Sequence, residues 1–263
     1  MHEFAFVFAG FAVGLVVGLT GVGGGSLMTP LLIFVFGIKP HLAIGTDLLF
    51  AAFTKMGGTV SLARARVVDW RIVGQVAAGS IPASLVTLYV LQRLGPADPA
   101  IQSVMTTTLG IALLLTAGAT LYKAIRGKVV PTQIAPELLG QATRAKHWTL
   151  PVLFGAVIGT LVTLTSVGAG AIGVTVLMLL YPALPLPRIV AADIAHAVPL
   201  TLVAGLGHAS IGSVDWPLLV KLLAGSLPGI WLGTYLMHKT PDRVIRSLLS
   251  VLLAYAGVKL ISI

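Results

Sequence analysis

The 263-residue chain is 57% hydrophobic and 10% charged, with a mean hydropathy of +1.00, and no soluble globular domain of ordinary composition has that balance. It reads as a polytopic membrane protein, and its net charge of +9 sits mainly in loops between apolar runs, where Lys and Arg report topology rather than a nucleic-acid surface. The chain has no cysteine, which excludes disulfides, thiolate catalysis and cysteine-based metal centres. Its six histidines and eight acids form no metal-ligand spacing such as His-Glu-x-x-His, so neither metal nor cofactor is expected.

In chain order, apolar runs lie at 4–21, 26–37, 42–63, 72–92, 101–122, 149–164, 171–181, 187–207, 216–237 and 244–262. Most approach the ~20 residues that a spanning helix needs. The first begins near Phe4 without a basic leader or a cleavage pattern, and is read as retained. The runs at 26–37 and 171–181 reach only about 18 Å at 1.5 Å per residue. Each follows a break: Leu19-Thr20-Gly21-Val22-Gly23-Gly24-Gly25 in one case, Leu164-Thr165-Ser166-Val167-Gly168-Ala169-Gly170 in the other. Each short run is therefore predicted to be half of a re-entrant hairpin or discontinuous helix, because non-helical backbone at membrane depth needs protein or a watery cavity around it.

The breaks belong to an internal repeat. Asp47 and Asp193 stand 146 positions apart, and the same offset relates Asp69-Trp70 to Asp215-Trp216 and Gly79-Ser80-Ile81-Pro82 to Gly225-Ser226-Leu227-Pro228. The chain divides into a first repeat at 1–126, a basic cytoplasmic linker at 127–148 and a second repeat at 149–263. Loop cations distinguish parallel from inverted halves. If each broken segment returns to its own side, the halves are inverted and only Lys39, Arg93 and Lys259 face away from the cytoplasm. Loop 64–71 holds Arg64, Arg66 and Arg71, whereas its counterpart at 210–217 holds no basic residue. The predicted fold is an all-α integral membrane protein with two inverted repeats, each with one broken segment and about three spanning helices, and with both termini outside.

Two broken segments meeting near the midplane would offer half-helix N-termini, whose free N–H groups and positive dipole end suit an anion. The candidate substrate residues are Thr20, Gly21, Gly23, Gly24, Gly25 and Ser26 at the first break, and Thr165, Ser166, Gly168 and Gly170 at the second. Thr46 and Lys55 are further candidate donors. Close helix packing through small residues is the alternative reading of the glycines. Charges inside apolar spans are functional candidates by default. Asp47, Asp193 and His196 are assigned to a coupling proton or sodium ion, with helix capping and a satisfied buried imidazole as the plain alternatives. The Gly-Ser-apolar-Pro segments read as packing and hinge elements, and Asp69 and Asp215 as helix caps beside interfacial Trp70 and Trp216. His41 and His208 are placed near the surfaces and left out of the site.

The first break, followed by Pro30-Leu31-Leu32, Gly45-Thr46-Asp47 and Gly79-Ser80-Ile81-Pro82, and the weaker second copy, resemble the TauE/SafE family of membrane transporters, sulfite exporter type. The resemblance runs from about residue 10 to 258. It implies a multi-pass transporter of a bacterial plasma membrane, linked to sulfur-containing anions such as sulfite and sulfonates. Ser166 in place of Gly21 and Ala169 in place of Gly24 imply that the two breaks are not equivalent. The expected activity is secondary-active, alternating-access transport of a small sulfur-containing anion. The partners are that anion, membrane lipids and a coupling proton or sodium, with no nucleic acid and with the oligomeric state left open. A passive anion channel and an accessory protein without transport are the rivals. No clustered nucleophile–base pair points to an enzyme.

Overall fold

A computed structural model describes residues 2–20, 25–126, 148–168, 170–236 and 242–262, and every regular element among them is helical. The helices are α1 (His2–Thr20), α2 (Gly25–Phe34), α3 (Pro40–Arg64), α4 (Trp70–Leu94), α5 (Pro99–Arg126), α6 (Thr149–Thr165), α7 (Ala171–Leu180), α8 (Leu186–Ser210), α9 (Trp216–Leu236) and α10 (Asp242–Ile261). Each corresponds to one apolar run of the sequence. Helices α2 and α7 have ten residues apiece, so each covers only about 15 Å.

Among the described residues, α4, α5, α8 and α9 are long and apolar enough to cross a bilayer, while α1, α6 and α10 contain shorter apolar stretches. Helix α3 is as long as α4 but carries His41, Asp47, Lys55 and Arg64 along its length. The outer helices are apolar on both faces. On α10, Leu249, Leu253, Ala256 and Leu260 are buried, whereas Leu248, Val251, Leu252, Tyr255 and Val258 are exposed. A helix that is apolar all round belongs in hydrocarbon, with one stripe on protein and the other on lipid.

Four close pairings organise the bundle. Helix α1 packs along α9 in parallel: a Cβ added at Gly10 would meet the backbone of Leu222, one at Gly14 that of Ser226, and one at Gly18 those of Ile230, Gly233 and Thr234. Helices α4 and α6 make the same kind of seam, with Gly155 on Val76, Gly159 on Ser80 and Gly79 on Val152 and Ala156. Without a hydrophobic drive between helices in lipid, small residues that let backbones touch supply the packing. The other two pairs run antiparallel. Gly110 of α5 lies against Ile261 and Gly257 of α10, and Gly257 lies against Leu114. In the centre, Gly45 near the start of α3 meets His208 at the end of α8 and Ser213 just beyond it; Gly205 meets Leu49, and the Thr59 hydroxyl reaches the Ile194 carbonyl at 3.5 Å.

Local chemistry fixes the helix ends. The Asp69 carboxylate accepts from the N–H groups of Arg71 and Ile72 at 3.1 and 3.4 Å, and Asp215 accepts from Leu218 at 3.0 Å, so both act as N-caps. Trp70 and Trp216 beside them are more than half exposed. The short helix α7 is tied to α4 where Tyr181 donates to Gln75 Oε1 at 2.8 Å.

Candidate functional site

The second break is a built structure. Ser166 closes α6 with its N–H on the Val162 carbonyl at 2.7 Å and has φ of 59°, an uncommon left-handed conformation for a residue with a side chain. The Thr165 hydroxyl lies 2.6 Å from the Leu161 carbonyl and 2.9 Å from that of Val167, and accepts from the Val167 N–H at 3.1 Å. Gly168 and Gly170 follow with φ of 132° and 126°, values that favour glycine. Helix α7 then begins, its early N–H groups at Gly173 and Val174 bonded to the carbonyls of Gly168 and Gly170. At the first break Thr20 ends α1, Gly25 opens α2 and Ser26 is buried. Gly21, Gly23 and Gly24, three of the predicted amide donors, lie outside the described residues.

The polar interior lies where α3 and α8 cross beside these breaks. Asp47 is fully buried; its Oδ2 accepts from the Thr29 hydroxyl of α2 at 2.5 Å, and its Oδ1 has no hydrogen-bond partner. Ser166 lies beside the same carboxyl, buried, with its own Oγ uncommitted. On the opposing helix, Asp193 is buried with its carboxyl against the first turn of α7, since a Cβ added at Gly173 would collide with Asp193 Oδ1. A carboxylate there faces the positive end of the helix. One turn on, His196 shares a 2.7 Å hydrogen bond with Ser80 Oγ of α4, and both are buried. Lys55 of α3 is half-buried and is felt electrostatically by Asp47, Asp193 and His196. Two acids, one cation, one imidazole and three hydroxyls from both halves of the chain thus meet around two discontinuities in the helix ladder. Among the described residues no set of three or more His, Asp or Glu is grouped as a metal site.

Not every candidate joins this group. Thr165 is committed to the backbone of its own break, and Thr46 is fully buried with its hydroxyl accepting from the Asp215 N–H at 3.0 Å. His41 and His208 stand at helix ends, outside the polar group. Both are buried, because the start of α3 and the end of α8 cross there, and His208 Nε2 bonds the Thr163 carbonyl at 2.9 Å. Ser80 and Thr29 are the members that sequence reasoning missed as polar partners. Ser80 lay inside a repeated segment read as packing, and its partner is 116 positions away.

A family model described as sulfite exporter TauE/SafE matches residues 6–260, which is nearly the whole chain. The chain belongs to the sulfite exporter TauE/SafE family. It is 34% identical over 255 residues to the probable membrane transporter protein YjnA of Bacillus subtilis, an alignment covering 97% of this chain and 98% of that protein. It is 28% identical to the probable membrane transporter protein YdhB of the same organism, over 95% of this chain and 97% of the relative. No solved structure matches. This TauE/SafE chain is accordingly a multi-pass membrane transporter, and the buried polar group is its candidate site.

Proposed function

We propose that the protein is a secondary-active carrier that moves a small sulfur-containing anion, such as sulfite or an organosulfonate, across a bacterial inner membrane by alternating access between two inverted repeats. The observation that carries this reading is the group of buried Asp47, Asp193, Ser80 and His196 with half-buried Lys55, drawn from both halves and set beside the broken segments. Intramembrane ionisable groups of this kind mark substrate and ion pathways. Lys55 is the cation of the group and the natural counter-charge for an anionic cargo. Ser166 beside Asp47, with the unwound backbone at Gly168 and Gly170, would add hydroxyl and backbone groups, as discontinuous helices do in carriers. The family name and the relatives' description as membrane transporters support transport, and the sulfur anion follows from the sulfite in the family's name.

The packing supports duplication and inversion. Exchanging the first five helices with the last five maps the α1–α9 seam onto the α6–α4 seam, so that Gly10 on Leu222 becomes Gly155 on Val76 and Gly14 on Ser226 becomes Gly159 on Ser80. Counterparts related by an axis along the membrane normal would run parallel. The counterpart pairs α3–α8 and α5–α10 run antiparallel, which fits an axis in the membrane plane. Following the helix directions gathers Arg64, Arg66, Arg71 and Arg188 at one end of the bundle and Lys39, Arg93 and Lys259 at the other. That division agrees with a cytoplasmic arginine-rich face.

The test is flux into liposomes holding the purified protein, with sulfite, taurine, sulfoacetate and thiosulfate supplied under imposed proton and sodium gradients. Saturable, gradient-driven uptake of at least one anion, lost in Lys55→Gln, is expected. Flux indifferent to both gradients would favour a channel, and no flux of any anion would remove the substrate class.

A further inference from the structure

We infer that the Asp47–Ser166 junction is the coupling site and that it takes a proton rather than a metal cation. This rests on the carrier reading above but is argued from atoms that the reading leaves unexplained. A polar atom buried without a partner is uncommon and asks for an unseen one. Here two lie side by side, Asp47 Oδ1 on α3 and Ser166 Oγ in the second break, both buried and neither with a partner other than the other.

The neighbouring oxygens show what can fill the junction. A hard cation requires about six or more oxygen ligands. The nearby hydroxyls already have partners: Thr29 donates to Asp47 Oδ2, Thr165 to the backbone at Leu161 and Val167 and Thr163 to Ser84 and the Gly159 carbonyl, while Thr46 accepts from the Asp215 N–H. Among the described residues the junction offers one carboxylate and one serine hydroxyl, which seat a proton and give a hard cation a single anionic ligand. Protonation turns Oδ1 into a donor that Ser166 Oγ accepts, while Thr29 continues to bond Oδ2. The charged group acting on Asp47 is Lys55 of its own helix, at longer range, and Lys55 in turn interacts electrostatically with Asp193 and His196 of α8. The proton arrives from water as hydronium and leaves to water, and no other bond changes.

The junction also explains why the breaks differ. The first repeat supplies the acid and the second repeat supplies the serine, at the position where the first break has Gly21. Holding the proton therefore ties α3 of one half to the break of the other, and releasing it unties them. A site inside one half would not couple the halves in this way.

Infrared spectroscopy of the purified protein in lipid tests this without any substrate. At neutral pH we expect a protonated-carboxyl C=O band that Asp47→Asn removes. Ser166→Gly should keep the band and move it to higher frequency as the hydrogen bond is lost. That substitution suits the left-handed backbone and copies the first break, so it should fold; Thr29→Val, which acts on the other oxygen, is a second probe. Thermal stability should be the same in sodium and in choline at equal ionic strength. A band untouched by Asp47→Asn, or sodium-specific stabilisation abolished by Ser166→Gly, would overturn the proposal. A protein that gave the expected spectra yet moved no anion would leave the proton site standing while the carrier reading fails.

Discussion

The hydrogen bond between Ser80 and His196 joins α4 to α8 through two buried side chains. Ser80→Ala leaves the imidazole unpaired in an apolar interior. A soluble core would lose about 1–3 kcal/mol on such a change, and bilayer-embedded pairs average about 0.6, so a loss of about 1 kcal/mol is expected, read as a lowered Tm in detergent. The contact between Gly173 and Asp193 makes a separate prediction. Gly173→Ala places a methyl where Asp193 Oδ1 now lies. The carboxyl must swing away from the α7 terminus, and substrate flux should fall several-fold while the protein still inserts and purifies. Normal flux in that variant would show that the Asp193 position is not needed for transport.

At the level of elements, the glycine seams carry the fold. Gly14→Leu forces its side chain into the backbone of Ser226, an obstacle that cannot rotate aside, so destabilisation at or above the 1–3 kcal/mol typical of overpacking is expected. A Cβ at exposed Gly118 of α5 meets nothing within 4 Å, so Gly118→Leu should leave the unfolding temperature nearly unchanged, making it the matched control. The helices themselves were legible in the sequence. Each apolar run became one helix, and the two short runs became α2 and α7, because hydrocarbon leaves the backbone few alternatives. The interior was less legible. Asp47, Lys55, Asp193 and His196 stand out as charges or imidazole in apolar text, whereas Ser80 and Thr29 are small polar residues whose partners are set by helix crossings. The same crossings bury His41 and His208 at the helix ends where the sequence put them. Thr46 and Thr165 looked like ligand donors, but the cap of α9 and the turn after α6 claim their hydroxyls first.

For the whole molecule, the absence of native cysteine makes sidedness directly measurable. Ser210→Cys at the end of α8 and Ala65→Cys after α3 are both exposed positions at opposite ends of the bundle. The first should react with a membrane-impermeant reagent applied outside, and the second only after the membrane is opened; the reverse pattern would invert the assigned topology. The α1–α9 seam also bears on how the protein is made. Gly10 and the backbone it touches at Leu222 are 212 positions apart in the chain. At the usual 5–20 residues per second, the first helix waits roughly 10–40 s in the bilayer before its mate leaves the ribosome. During that interval its glycine stripe faces lipid or a stand-in. Assembly therefore cannot follow the order of synthesis, and a chain cut short before α9 would leave its opening helix without the surface it is shaped to meet.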